Sequence, residues 1–344
     1  MDFLARELPL SVSRIALQYL AQSRRNKEYN MSGNSLTSRN AFLGLLATIS
    51  LVACVDSTEQ ATSSEDRVEL KSIRVNDTTL HYIERGQGTP VVFVHGSLGD
   101  YRTWDGQLYA FSENYRAISY SRRYHYPNEF PPDALEETAY YQVEDLRTFI
   151  DALDIAPIHL VGHSGGGAIS LMFARDYPEY LASLTLGEPA VSELLAAMPE
   201  GAAFRKTFQE EVYGPVTAAF QAGNDEEAVR LFIDGVQGGA KGFDDLPREF
   251  QEGMLQNAPS LRKSRLDNVN RPRISCEEAS QIRLPTLLIH GELSPPMFVL
   301  QNTVLAQCMP NVERAILPAA SHSLAMENPD DFNEMVLTFL ASHN

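Results

Sequence analysis

Cysteine is scarce in this chain: 344 residues carry three, Cys54, Cys276 and Cys308. They form no Cys-x-x-Cys pair and no zinc-ligand spacing. Two of them could bridge, but an odd number this small is not a disulfide framework, so the redox compartment stays open. Positive charge is also short. Lys and Arg number 28 against 45 Asp and Glu, a formal net charge of −17. That balance argues against a nucleic-acid partner, which requires clustered basic residues. Acidity favours solubility but names no substrate. Internal repeats and low-complexity tracts are absent. The apolar stretch at 41–51 (AFLGLLATISL) is eleven residues long, where a spanning helix takes about 20. What is present is an ordinary globular composition, 44% hydrophobic, enough to fill a substantial core.

The first 67 residues read differently from the rest. Residues 1–30 form an extra segment with Arg24, Arg25 and Lys27 near its end. From Met31 a polar start with Arg39 leads into the apolar run and then into Leu51-Val52-Ala53-Cys54. A positive start, an apolar run of about 7–15 residues and small residues before a cleavage point describe a secretory signal. The Leu-x-small-Cys ending of 31–54 resembles a bacterial lipoprotein signal. The resemblance implies cleavage before Cys54, lipid attachment to it, and a place in the bacterial cell envelope, anchored to a membrane. Residues 55–67 (VDSTEQATSSEDR) are polar, acidic and Ser/Thr-rich, which suits a flexible linker. On that reading translation begins at Met31. The competing reading is an N-terminal helix with Cys54 as an ordinary small hydrophobe, in a cytoplasmic protein.

From residue 68 onward, short apolar runs alternate with helical patterns. The runs predict strands over 90–95, 116–120, 157–161, 182–186, 284–290 and 312–317. Leu146, Phe149, Ile150 and Leu153 repeat at helical spacing between two of them. Near-continuous apolar strands separated by helices imply a mostly parallel sheet covered on both faces. The stretch 69–85 alternates around Asn76-Asp77 and predicts an opening antiparallel hairpin. Strand signals then stop between Glu188 and Gln281. Phe204, Phe208 and Val212, then Ala228, Leu231 and Phe232, recur at helical intervals, and Asn224-Asp225 suits a helix cap. A helical cap at about 190–280, inserted in an α/β domain over 68–344, is the expected organisation.

Gly162-His163-Ser164-Gly165-Gly166 matches G-x-S-x-G. Alone the pattern is weak, but it follows an apolar strand and opens a helix, the setting that a nucleophile elbow requires. The glycines permit a sharp turn that lifts Ser164 into the open, and the helix start favours negative charge. A serine hydroxyl needs a base near neutral pH. His322 lies in the loop just beyond the last strand, before Asn328-Pro329 and a terminal helix, at the carboxyl edge where a base belongs. His95-Gly96-Ser97 follows the strand at 90–94. Its loop can present the Ser97 N–H, together with that of Gly165, to a developing oxyanion.

These three pieces, VVFVHGSLGD, VGHSGGG and SHSLAMENP in that order, resemble the α/β-hydrolase superfamily over residues 68–344. The resemblance implies an eight-stranded, mostly parallel sheet flanked by helices, a helical cap between strands 6 and 7, and a Ser-His-acid triad. Ser121-Arg122-Arg123-Tyr124-His125 departs from the D-x-x-G-x-G-like turn that many members have. The acid departs too. Most members place Asp three residues past a glycine after the penultimate strand, where this chain has Ser294. Glu292 in that loop and Glu188, 24 residues beyond Ser164 at the end of the strand after the elbow helix, are the two candidates. Certain haloalkane dehalogenases and zearalenone-lactone hydrolases are similar in placing an acid at that earlier strand end.

The expected chemistry is acyl transfer from a small-molecule ester or lactone to water, without metal or organic cofactor. Gly96, His163 and Trp104 are candidates for the substrate pocket, with core packing the competing role for Trp104. Serine in place of aspartate at 164 disfavours dehalogenase and epoxide-hydrolase chemistry. Carbon–carbon hydrolysis or cofactor-free perhydrolysis on the same triad, and a non-catalytic small-molecule sensor, are the alternatives. Oligomeric state is not legible.

Overall fold

The structure, a computed structural model, describes residues 68–131, 139–239, 241–267 and 273–343. The lipoprotein-like segment with Cys54 and the linker at 55–67 lie outside them. The strands are β1 (Lys71–Val75), β2 (Thr78–Arg85), β3 (Pro90–Val94), β4 (Arg116–Tyr120), β5 (Ile158–His163), β6 (Leu181–Gly187), β7 (Thr286–Gly291) and β8 (Val312–Leu317). They form one sheet in the order β1-β2-β4-β3-β5-β6-β7-β8. β2 pairs antiparallel with β1 and with β4, and every later pair is parallel. The opening hairpin turns at Asn76, whose φ of 47° is left-handed, a conformation that Asn tolerates.

The main helices are α1 (Asp105–Phe111), α2 (Ala139–Leu153), α3 (Ser164–Asp176), α4 (Pro199–Phe208), α5 (Gly214–Gln221), α6 (Asp225–Gln237), α7 (Arg248–Gln256), α8 (Ala258–Leu266), α9 (Pro296–Cys308) and α10 (Pro329–Ala341). The six residues of β7 are all buried, as expected of a parallel strand covered on both faces. On one face Leu146, Phe149, Ile169, Phe173 and Leu305 of α2, α3 and α9 pack on Val92, Leu160 and Leu184. On the other, Leu108, Phe111, Phe332 and Val336 of α1 and α10 pack on Phe93, Val161 and Ile289. Each such side chain contributes about 1.5–3 kcal/mol by leaving water. Trp104 corrects the pocket expectation. It is 2% exposed, lies in this second layer with its ring 5.1 Å from Phe93 and 6.0 Å from Phe332, and so serves the core.

The chain between β6 and β7 is helical and builds a third apolar cluster. Val216, Phe220, Val229, Phe232 and Leu261 from α5, α6 and α8 meet Leu98, beyond β3, and Phe298 of α9. The helical layer therefore packs directly on loops at the carboxyl edge of the sheet. Asn224 caps α6 by accepting the Glu227 N–H at 3.2 Å, and three acids in the first turn suit the helix dipole. Cys276, opening the short helix Cys276–Ala279, is disulfide-bonded to Cys308 at the end of α9. No helix among the described residues is long and apolar enough to cross a membrane.

Candidate active site

Neighbouring parallel strands bring their carboxyl ends together, so residues that directly follow β5, β6 and β8 meet in space. Ser164 follows β5 and opens α3. Its φ of 51° is left-handed, a strain costing about 1–3 kcal/mol that the surroundings must hold. Gly166 makes the elbow fit: a Cβ there would lie 2.3 Å from the His95 carbonyl oxygen and 2.4 Å from that of Val94. Only glycine lets α3 start so close to β3. Glu188 follows β6, also left-handed at φ 45°. His322 is carried by the loop after β8.

The three side chains touch in sequence. His322 Nε2 is 3.0 Å from Ser164 Oγ, and His322 Nδ1 is 2.6 Å from Glu188 Oε2. Glu188 is fully buried and His322 4% exposed, so the pair lies out of bulk water, where electrostatic interactions are stronger. The second oxygen, Glu188 Oε1, accepts the Gly291 N–H at 3.0 Å. Glu292 is not beside the imidazole. It is exposed, and its Oε2 accepts the Ala319 N–H at 3.1 Å. One residue past the glycine, its side chain has turned to the outer face of the loop. Ser294, in the position where the family resemblance leads to an expectation of Asp, accepts the Gly291 N–H through Oγ at 3.1 Å.

Several groups hold the imidazole in place. The Phe298 ring stacks on His322 with centroids 3.8 Å apart and planes 13° from parallel. His163 Nε2 lies 2.7 Å from the His322 carbonyl oxygen; since a carbonyl only accepts, that nitrogen carries the proton. Burial, and then the neighbouring His322, pushes the His163 pKa down to about 3, so its ring is neutral. The Gln237 amide, from the end of α6, spans Ser321 Oγ at 2.6 Å and Ser323 Oγ at 2.5 Å, the residues on either side of His322. Glu327 adds a bond from the Ser321 N–H at 2.5 Å.

The loop after β3 is pinned by the segment whose sequence departs from the usual turn. Arg122 Nη2 donates to the Gly96 carbonyl at 2.9 Å, and the Arg122 N–H donates to His95 Nε2 at 2.9 Å. Burial, and then the Arg122 charge, lowers the pKa of both His95 and His125, the latter to about 3. Ser97 and Gly165 face each other beside the nucleophile: a Cβ on Gly165 would lie 3.7 Å from Ser97 N. Gly165 is in the first turn of α3, whose N–H groups have no partner within the helix. Among the described residues no cluster of three His, Cys, Asp or Glu side chains is placed to hold a metal ion.

A family model described as alpha/beta hydrolase fold matches residues 89–329. The chain belongs to the α/β-hydrolase family. It is 25% identical to a mouse protein named serine hydrolase BPHL, over 86% of this chain and 94% of that one. A mouse epoxide hydrolase 4 is 26% identical over 78% of each. Among solved structures, naproxen esterase from Bacillus subtilis superposes with a TM-score of 0.62 at 22% identity, covering 80% of this chain and 92% of that one.

In this α/β-hydrolase two chambers meet at Ser97 and Ser164. One, of about 130 Å³, lies on the Gly165 side and is lined by Arg122, Gln142, Arg265 and Gln301 with Ile169 and Met297. The other, of about 580 Å³, lies on the His322 side, lined by Leu98, Ile233, Phe250, Met254 and Met326, with Gly96 and His163 near the nucleophile. Sequence reasoning missed Phe298, Gln237, Arg122 and Gln301. Of these only Arg122 had a signal, as part of the segment that departs from the family pattern.

Proposed function

We propose that this α/β-hydrolase cleaves the acyl bond of a small ester or lactone through an acyl-enzyme on Ser164. The reading rests on the unbroken line of hydrogen bonds from Ser164 Oγ through the His322 ring to Glu188. Ser164 Oγ attacks the carbonyl carbon while His322 Nε2 takes its proton, and Glu188 stabilises the imidazolium that forms. The Ser97 and Gly165 N–H groups receive the oxyanion. The tetrahedral intermediate collapses, and the alcohol leaves with the proton from His322. Water then attacks the acyl-enzyme, giving its proton to His322, and the acid departs as Ser164 regains its hydrogen. Each step uses groups of this chain and water alone.

A fluorophosphonate probe tests the nucleophile. Labelling of the wild type and its loss in Ser164→Ala are expected, together with loss of turnover across a panel of p-nitrophenyl esters and lactones. A wild type that takes no label and turns over no acyl substrate sinks the reading and favours a ligand-binding role.

For location, we propose a lipid tether at Cys54. The order of apolar run, Cys54 and polar linker supports it, as does the Cys276–Cys308 bridge, since disulfides persist in oxidising compartments. Membrane fractionation of Cys54→Ser tests it: release to the soluble fraction is expected, and unchanged fractionation overturns the tether.

A further inference from the structure

We propose that the preferred substrate is an ester whose short acyl half carries a hydroxyl group and whose larger alcohol half is apolar. The inference rests on the acyl-transfer reading above and adds the polarity of each half.

The mechanism assigns the chambers. His322 must hand its proton to the departing oxygen, so the alcohol lies on the His322 side. The acyl carbon stays bonded to Ser164 with its oxygen toward Ser97 and Gly165, which points the acyl chain into the chamber on the Gly165 side. That chamber measures about 130 Å³ against about 580 Å³ for the other. It suits a chain of a few heavy atoms, while the alcohol side has room for a bulky group among Phe250, Met254 and Met326.

Gln301 puts an unpaired amide in the wall of the acyl chamber. It is 1% exposed and lines that chamber. Neither its Oε1 nor its Nε2 has a hydrogen-bond partner among the described residues. A buried amide left unpaired is costly at each of its polar groups, so such a residue calls for a function. An amide offers one acceptor and one donor side by side. A hydroxyl on the acyl chain answers both, donating to Oε1 and accepting from Nε2. A saturated acyl chain answers neither and leaves the amide unpaired. The Arg265 guanidinium, stacked on Tyr213 at 4.1 Å, lines the same chamber. Its Nη1 is likewise buried without a partner among the described residues, which adds a second donor for an oxygen-bearing chain. The Glu193 carboxylate also lines the chamber but is ion-paired with Arg205.

The test compares p-nitrophenyl 3-hydroxybutyrate with p-nitrophenyl butyrate on the full chain, since the two differ by one hydroxyl on the acyl side. The wild type is expected to show a kcat/KM at least tenfold higher for the hydroxy ester, as for a site whose polar groups go unpaired with the analogue. Gln301→Leu, similar in volume and free of the unpaired amide, is expected to bring the ratio to unity or below and to raise thermal stability. The proposal is overturned if both esters are turned over by the wild type with butyrate equal or better, or if Gln301→Leu keeps the wild-type ratio. Those outcomes leave the acyl-enzyme reading intact, whereas hydrolysis of neither ester, with no fluorophosphonate adduct, removes that reading itself.

Discussion

The Gly291 N–H, at the end of β7, donates to Glu188 Oε1 at the end of β6. The strand that carries the acid in most relatives here provides a clamp for an acid placed one strand earlier. Glu188 is thereby held by two bonds, one from Gly291 and one with His322, so its second oxygen has a fixed direction toward the imidazole.

Glu188→Gln should lower kcat by roughly 10³–10⁴, the scale seen when an orienting carboxylate becomes an amide. Glu292→Gln should leave kcat within about twofold, since its contact is the Ala319 N–H. Steady-state rates on a p-nitrophenyl ester decide between the two. A silent Glu188→Gln with a crippled Glu292→Gln would reverse the assignment.

Gln237→Leu removes the bridge between Ser321 and Ser323 while leaving Ser164, His322 and Glu188 untouched. The loss of two buried hydrogen bonds, about 1–3 kcal/mol, should appear mainly in kcat, as roughly a tenfold fall, because the substrate chambers keep their volume. Gln237→Asn, too short to span both hydroxyls, should behave alike. A change confined to KM would argue for a substrate contact instead.

Histidines whose pKa is lowered in the fold, His290 among them, set its acid limit. His95, His125 and His163 are held below the ordinary value of 6.5, the last two at about 3, by burial first and then by Arg122 or His322. They stay neutral when folded, while the unfolded chain gains their protons as pH drops below about 6.5. The unfolded state binds more protons, so stability falls with falling pH, by up to about 1.4 kcal/mol per pH unit for each group. Denaturant midpoints at pH 7.5, 6 and 5 should decline in that order, and His163→Gln should flatten the slope. Equal midpoints at pH 5 and 7.5 would contradict this.

The Cys276–Cys308 bridge closes a sequence separation of 32 residues, for which loop entropy gives about 3–4 kcal/mol. A Cys276→Ser, Cys308→Ser double variant should lose about that much in denaturant unfolding at pH 7. A loss below about 1 kcal/mol would mean that the unfolded chain is already constrained there.

The sheet and the elbow were legible because they are local. Six apolar runs and a glycine-flanked serine name strands and a turn without help from distant residues. The Asn76-Asp77 hairpin and the Asn224 cap were legible for the same reason. The choice between Glu188 and Glu292 was not. Both sit just past a strand, and what separates them is the direction each side chain takes at its strand end. Trp104 near the oxyanion loop suited the core better than the pocket without excluding either, and its neighbours Phe93 and Phe332 decide for the core. Gln237 gave no signal at all, since its partners lie more than eighty positions away. Phe298 reads as one more apolar residue in an apolar helix until the imidazole is seen lying flat on it.

Gln237 belongs to the helical layer, whereas Ser321 and Ser323 belong to the loop that carries the base. The Gln237 helix, α6, walls both chambers through Phe232 and Val236, so it encloses the substrate and braces the base at once. A substitution that shifts this helix against the sheet therefore reaches the imidazole as well as the chamber walls.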